Sequence, residues 1–354
     1  MKKFNINAIF VCVIAALVLT GALFAQEPYR RGTTAANFLE IGYGSRGNAM
    51  GDAVVASSDG LESCYWNPAG LALMRQNEVL FNMQPWIIDI NTNFAAVGLV
   101  FPRLGSFAVS FNQMSYGKED VTTLVMQDGT GEHYTASEFS VSFSYARRLA
   151  QWFSFGGSAK YVNSNIWHVN ANAMALDLGA LVNTQFFSPT GERMDGLTIG
   201  MSISNYGTRM KYDGIDLLQP IDANPNIAGN YDNVEGQFRT QSWELPLIFR
   251  IGVAVHPIVT TNHRLTLEAD ALHPNNNSES VNVGGEYRFT MPSFGSFYVR
   301  TGYKGMFMQR TEYGMSYGFG ILMRLARLGL RIDYAYRDIG LLGSVQAYSL
   351  SFVF

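Results

Sequence analysis

LGLRIDYAYRDIGLLGSVQAYSLSFVF, residues Leu328–Phe354, closes the chain, and its side chains alternate. Leu330, Ile332, Tyr334 and Tyr336 form one set; Arg331, Asp333, Ala335 and Arg337 form the other. After a glycine-rich break, Tyr348, Leu350, Phe352 and Phe354 oppose Ser349 and Ser351. A period of two places each set on one face of a β-strand. Working outward from this end, the same split recurs. Phe107, Val109 and Phe111 oppose Ser106, Ala108 and Ser110; Phe139, Val141, Phe143 and Tyr145 oppose Glu138, Ser140, Ser142 and Ser144. Leu197, Ile199, Met201 and Ile203 oppose Thr198, Gly200, Ser202 and Ser204, and Leu265, Leu267, Ala269 and Ala271 oppose Thr266, Glu268 and Asp270.

Such segments of roughly ten residues, divided by turn chemistry, are the signature of membrane strands. We expect fourteen, at 77–86, 91–101, 106–115, 137–148, 153–166, 171–184, 196–206, 243–255, 263–273, 280–289, 296–304, 312–323, 329–337 and 343–354. The fold class expected is all-β, a 14-stranded antiparallel transmembrane β-barrel with an N-terminal lumenal hatch containing short helical turns. An even number returns both barrel ends to one side, the periplasm. The connections also sort by side. Those after even strands are short, as at Pro102–Gly105, Leu149–Trp152 and Leu325–Leu328. Two after odd strands, 116–136 and 207–242, are long and expected to be extracellular.

Alternation alone also fits a soluble sandwich, with one face to the core and one to water. Two features favour the membrane. Trp86, Trp152 and Trp243 fall near strand ends, where interface girdles require aromatics. The polar faces carry Ser, Gly, Asn and mixed charge, with little of the Lys and Glu that dress a soluble exterior. Beyond Lys2 and Lys3, the lysines are Lys118, Lys160, Lys211 and Lys304.

The other end of the chain reads differently. Lys2 and Lys3, the apolar run Ala8–Leu19 and the small residues of Gly21–Ala25 make residues 1–25 a signal peptide cut after Ala25. Of the 25 basic residues, Lys2 and Lys3 leave with it, so 23 remain against 28 acidic ones. That balance argues against nucleic acid as a partner. Cys12 leaves as well, and Cys64 remains without a partner for an intramolecular disulfide. Beyond the signal no apolar run of about 18 residues offers a helical span. Export, 24 Phe, 18 Tyr and 5 Trp agree with a barrel in the outer membrane of a Gram-negative bacterium, with its lipid as surroundings.

Residues 26–76 precede every strand and lack strand alternation. Fourteen strands enclose a lumen too wide for side chains alone to fill. We therefore read 26–76 as a hatch and 77–354 as the barrel. Asn37–Glu40 should form a helical turn, and Asp59–Tyr65 another, with Asp59 and Glu62 at capping-box spacing. Gly42, Gly44, Gly47, Gly51 and Gly70 would permit tight bends and close approach to the wall. The candidate hatch residues are Gly42, Gly44, Arg46, Gly51, Asp52, Asn67, Pro68, Ala69 and Gly70. Inward-facing charges expected on the wall are Lys160, Asp177, Glu268, Asp270, Arg300, Lys304, Arg331, Asp333 and Arg337. An Arg or Lys facing lipid at mid-depth would cost about 2–4 kcal/mol. Facing the lumen, these groups pair with one another or with Arg46, Asp52 and Glu62, which mainly keeps the wall wetted and neutral.

Several motifs fail on context. Gly42-Tyr43-Gly44-Ser45-Arg46-Gly47 matches a dinucleotide-binding turn, but no strand precedes it and no parallel sheet follows. Gly314-Met315-Ser316-Tyr317-Gly318 matches the hydrolase elbow, yet runs straight into an alternating strand. The five histidines are scattered without zinc spacing. Asp213, Asp216, Asp222 and Asp232 lack the ligand spacing of a calcium loop, so loop charge is the better account. No cofactor, metal site or catalytic residue is expected.

The chain resembles the PorV/PorQ family of outer-membrane proteins, relatives of the FadL-type fatty-acid channels. The resemblance rests on Ala35–Gly42 (AANFLEIG), Ser45–Ala53 (SRGNAMGDA) and Tyr65–Leu71 (YWNPAGL). Weaker matches lie in Ser144–Arg148, Gly157–Val162 and Ala175–Gly179. It implies a hatch inside a 14-stranded barrel, with Asn67-Pro68-Ala69 leading to the first strand. It also implies a non-enzymatic role in type IX secretion or surface attachment, with translocon or attachment proteins and cargo C-terminal domains as partners. The alternative it implies is a passive channel for hydrophobic small molecules.

Overall fold

The computed structural model describes residues 30–222, 224, 226, 234–325 and 328–354. Fourteen antiparallel strands close into a barrel. The first seven are β1 (Glu78–Pro85), β2 (Asn91–Phe101), β3 (Gly105–Asp120), β4 (His133–Ala150), β5 (Phe153–Ile166), β6 (Val169–Asn183) and β7 (Thr198–Gly207). The rest are β8 (Ile248–Val259), β9 (His263–Pro274), β10 (Ser280–Met291), β11 (Gly295–Met306), β12 (Met315–Leu325), β13 (Leu328–Asp338) and β14 (Ser344–Val353). Each pairs with its neighbours in sequence, and β14 returns to β1, so no barrel edge is left open.

The parity read from the closing residues holds throughout. Ile332 and Tyr336 are exposed on the outer face, while Asp333, Ala335 and Arg337 are buried within. The largest departures from the reading lie at the long connections. β3 and β4 extend beyond the expected ends by pairing Lys118 with Thr135 and Asp120 with His133, past an irregularity at Ser115. The long 116–136 connection is therefore partly ladder. Ser242–Trp243 does not begin β8; it pairs with Met210–Lys211 in a small sheet over the rim. Leu218–Ile221 and Val234–Gln237 form a second such sheet, so the 207–242 segment is partly folded. The expected calcium-neutral charge at Asp232 lies outside the described residues.

The hatch fills the lumen. The chain enters beside the long loops, where Ala35 N donates to Glu244 O at 2.9 Å. It leaves at the opposite rim, where Asn77 and Phe354 exchange backbone hydrogen bonds. Between these points lie 3₁₀ turns at Asn37–Glu40 and Pro68–Leu73 and short α-helices at Ser45–Ala49 and Ser63–Trp66. Asn67 caps the second 3₁₀ turn, its side chain accepting from Ala69 N at 3.1 Å, with Pro68 at the first helical position. The expected capping box is absent: Asp59 turns instead to Arg46 at 3.4 Å, and no side chain caps Ser63–Trp66.

The girdle expectation holds in part. Trp152 is exposed at the end of a strand. Trp86 packs instead against a buried cluster that includes Phe38 and Leu39 of the hatch and Met114 of the wall. The reason is local: β1 ends at Pro85, and the chain folds back at Trp86 to hydrogen-bond Ile90 O.

Candidate functional site

The site is the surface along which hatch and wall meet. Its first part is a turn. The helix Ser45–Ala49 ends with Gly51 N donating to Asn48 O and Asp52 N donating to Gly47 O at 2.8 Å. Gly51 takes φ +65°, the left-handed conformation that closes such a helix end. Asp52 follows at φ +65°, a conformation Asp tolerates better than most residues. The turn aims its carboxylate at the wall. There Asp52 pairs with Arg337 and, at 2.7 Å, with Lys304.

A second chain of charge runs from hatch to wall through Arg46. Its Nε meets Glu286 Oε2 at 3.0 Å, and Arg300 meets the same oxygen at 2.7 Å. Arg300 then reaches Asp333 at 2.7 Å, which also holds Arg331 at 2.7 Å. Arg46 also donates to Ser57 O, Ser57 Oγ and, at 3.4 Å, Asp59 Oδ1. Buried charges alternate in sign along this path, which lowers the cost of removing them from water.

Two carboxylates serve a different purpose. Asp270 Oδ2 accepts from Val54 N at 2.8 Å and Val55 N at 2.9 Å. Glu268 Oε1 accepts from Ala56 N at 2.6 Å and Ser57 N at 3.2 Å. Neighbouring inward positions of β9 therefore hold four successive hatch amides, which lack helical or sheet partners. Asn67 does the complementary work, donating to Val55 O within the hatch and to Ala180 O on the wall. Lys160 stands apart from the hatch, bound to Asp177 at 2.9 Å and Asn205 at 2.7 Å between strands.

Close approach comes mainly from the wall. Of the hatch glycines, Gly42 and Gly47 lie against Trp66, Gly44 against Glu62 and Gly70 against Ser58 and Ser63; Gly51 alone of these faces wall backbone, at Tyr303. The matching wall positions are glycines that present no side chain. A Cβ on Gly156 would fall 2.5 Å from the Pro68 carbonyl, and one on Gly284 would fall 2.5 Å from Met50 O. Gly200 and Gly302 face the backbone of Val55 and Met50 in the same way, and Gly179 faces the Asn67 side chain and Ala69 N. Here the hatch backbone lies directly on the barrel backbone.

Sequence reasoning missed Glu286 and Arg250. Glu286 follows the paired glycines Gly284-Gly285, which blur the alternation around it. Arg250 stands between Phe249 and Ile251, a legible signal, and its guanidinium lies 5.8 Å from the Tyr65 ring and 5.9 Å from the Trp66 ring. Ser316 is buried at the start of β12, its hydroxyl directed at the carbonyls of Ala49 and Gly302 at 3.1 and 3.2 Å. The histidines hold separate partners, including His256 with Thr266 and His168 with Asp216.

A family model described as type IX secretion system protein PorV matches residues 24–248. The chain belongs to that family. The search of curated proteins found no match. Among solved structures, the chain is similar to the Pseudomonas putida toluene transporter TodX, with TM-score 0.54 and 11% identity over 88% of this chain and 98% of that one. It is also similar to the CymD monoaromatic hydrocarbon channel, with TM-score 0.54 and 11% identity over 88% and 97% of the two chains. A Pseudomonas aeruginosa FadL homologue matches with TM-score 0.51 and 10% identity over 89% and 98%. At such identities these likenesses establish the fold of this PorV-family chain, an outer-membrane barrel, and nothing further.

Proposed function

We propose that this PorV-family barrel is a non-enzymatic component of type IX secretion or of surface attachment, acting as a docking platform and not as a conduit. The observation that carries the reading is the packing of hatch backbone on wall glycines, which leaves the lumen occupied where Gly156, Gly179, Gly284 and Gly302 line it. A barrel closed in this way presents its rims to partners. In this reading the rim with long loops faces the outside and the short-turn rim faces the periplasm. Its partners are translocon or attachment proteins and the C-terminal domains of their cargo. Affinity capture from outer membranes should recover such proteins. Unchanged surface protein after deletion of the gene would remove the role. The hatch assignment is tested separately, because deleting residues 33–73 should leave a folded barrel with raised conductance in planar bilayers; unchanged conductance would refute it.

The fold likeness to structures titled as hydrocarbon transporters and channels motivates a second reading, a passive path for hydrophobic small molecules. That path requires an apolar space between hatch and wall. An apolar cavity of about 590 Å³ lies on the other side of the wall, among outward side chains such as Phe81, Met83, Phe319 and Tyr348. An uptake defect on deletion, with secretion intact, would favour the channel.

A further inference from the structure

A second cavity, of about 350 Å³, opens at the long-loop rim between the hatch entry at Thr34–Asn37 and the side chains of Tyr116, Glu138, Tyr212 and Trp243. Its carboxylate is held differently from those of the main charge network. The carboxylates of Asp52, Glu286 and Asp333 meet cations, and those of Glu268 and Asp270 meet backbone amides. Glu138, on the inward face of β4, is more than nine-tenths buried. It accepts from Tyr116 Oη at 2.6 Å and enters no ion pair among the described residues. A buried carboxylate without a counter-charge is costly, and an incoming cation relieves that cost.

The neighbours select the kind of cation. Three aromatic side chains share the cavity with the carboxylate, the surroundings in which ammonium groups are held by charge and by ring faces together. The walls are fixed in advance. Tyr212 Oη meets Ser164 Oγ at 2.9 Å, and Thr240 Oγ1 donates to Tyr212 O at 2.6 Å. Trp243 is held by pairing with Met210, and the next residue, Glu244, binds the hatch through Ala35. A site fixed before binding loses little order on binding. Its volume leaves room for one ammonium head and its stem.

We propose that this cavity binds an alkylammonium group, supplied by a free amine or by a lysine side chain of another protein. The assay is ligand-detected NMR on the full-length barrel in detergent. The probes are choline, Nα-acetyllysine amide and 3,3-dimethylbutanol, the uncharged isostere of choline. Saturable binding of either charged probe, weakened about tenfold or more by Glu138→Gln and not shared by the isostere, is expected. The tighter of the two charged probes identifies the source of the amine. Should Glu138→Gln fail to show heat-modifiable migration, Trp243→Ala at the exposed rim decides, with an expected loss of severalfold. The proposal is overturned if neither charged probe binds below about 10 mM, if the isostere binds equally, or if the folded variants retain wild-type affinity.

Discussion

Gly156 and Gly157 are adjacent in β5 and face opposite ways, which makes them a matched pair for measuring how tightly the hatch is seated. A Cβ on Gly156 would lie 2.5 Å from the Pro68 carbonyl carbon and oxygen and 2.7 Å from Ala69 N. One on Gly157 would lie 3.4 Å from Asp177 O, an ordinary contact. Alanine at 156 must therefore push hatch backbone back by about 1 Å, and overpacking of this kind costs about 1–3 kcal/mol. The strand cannot give way, because β5 is held on both sides by β4 and β6. Cys64 reports the result. It is buried in the helix immediately before Asn67–Pro68, and burial pushes its thiol up to about 12, so reaction with maleimide waits for the hatch to open. If opening is rapid and reversible, Gly156→Ala should speed labelling by about 5- to 150-fold, the factor equivalent to that cost. Gly157→Ala should stay within about twofold of wild type. Both are compared in a chain whose other cysteine, Cys12, is absent. Equal labelling rates for the two variants would refute the claim that hatch and wall are packed backbone to backbone.

Removing one partner from the buried charge network should be more damaging. Asp52→Asn leaves Arg337 and Lys304 facing a neutral amide, and a loss of about 3–5 kcal/mol is expected. A lowered midpoint of heat-modifiable gel migration measures it; an unchanged midpoint would place those cations in water. Asn67→Ala removes the cap of Pro68–Leu73 and the donors to Val55 O and Ala180 O, costing about 1–3 kcal/mol by the same assay. Ser316→Ala should cost about 1 kcal/mol of stability and leave any hydrolysis of p-nitrophenyl esters unchanged, whereas lost hydrolysis would revive the elbow motif.

How far the sequence carried the structure is clearest at particular residues. The alternation around Asp333 and Arg337 told inside from outside, because a residue on the wrong face would put charge in lipid. The Asn67-Pro68 pair was a legible cap and first helical residue, though it was read only through the family resemblance. Gly51 was legible as a residue suited to a left-handed turn. The expected Asp59 cap failed because the helix begins at Ser63 with Glu62 at its N-cap, and the Asp59 carboxylate turns to Arg46 of the same hatch.

By itself, then, the chain determined the number of strands, their facing and the existence of a non-strand segment to fill them. Those properties follow from local periodicity and from the cost of exposing polar groups to lipid, which every short window carries. Tertiary structure alone decided which charge meets which: Asp52 with Arg337 and Lys304, and Arg46 with Glu286. It also decided that wall glycines, more than hatch glycines, make room for the contact, and that Glu138 lies beside a cavity with no ion-pair partner among the described residues. Partners separated by 240 or more positions are brought together by the closing of the barrel around the hatch, and no local pattern encodes that distance.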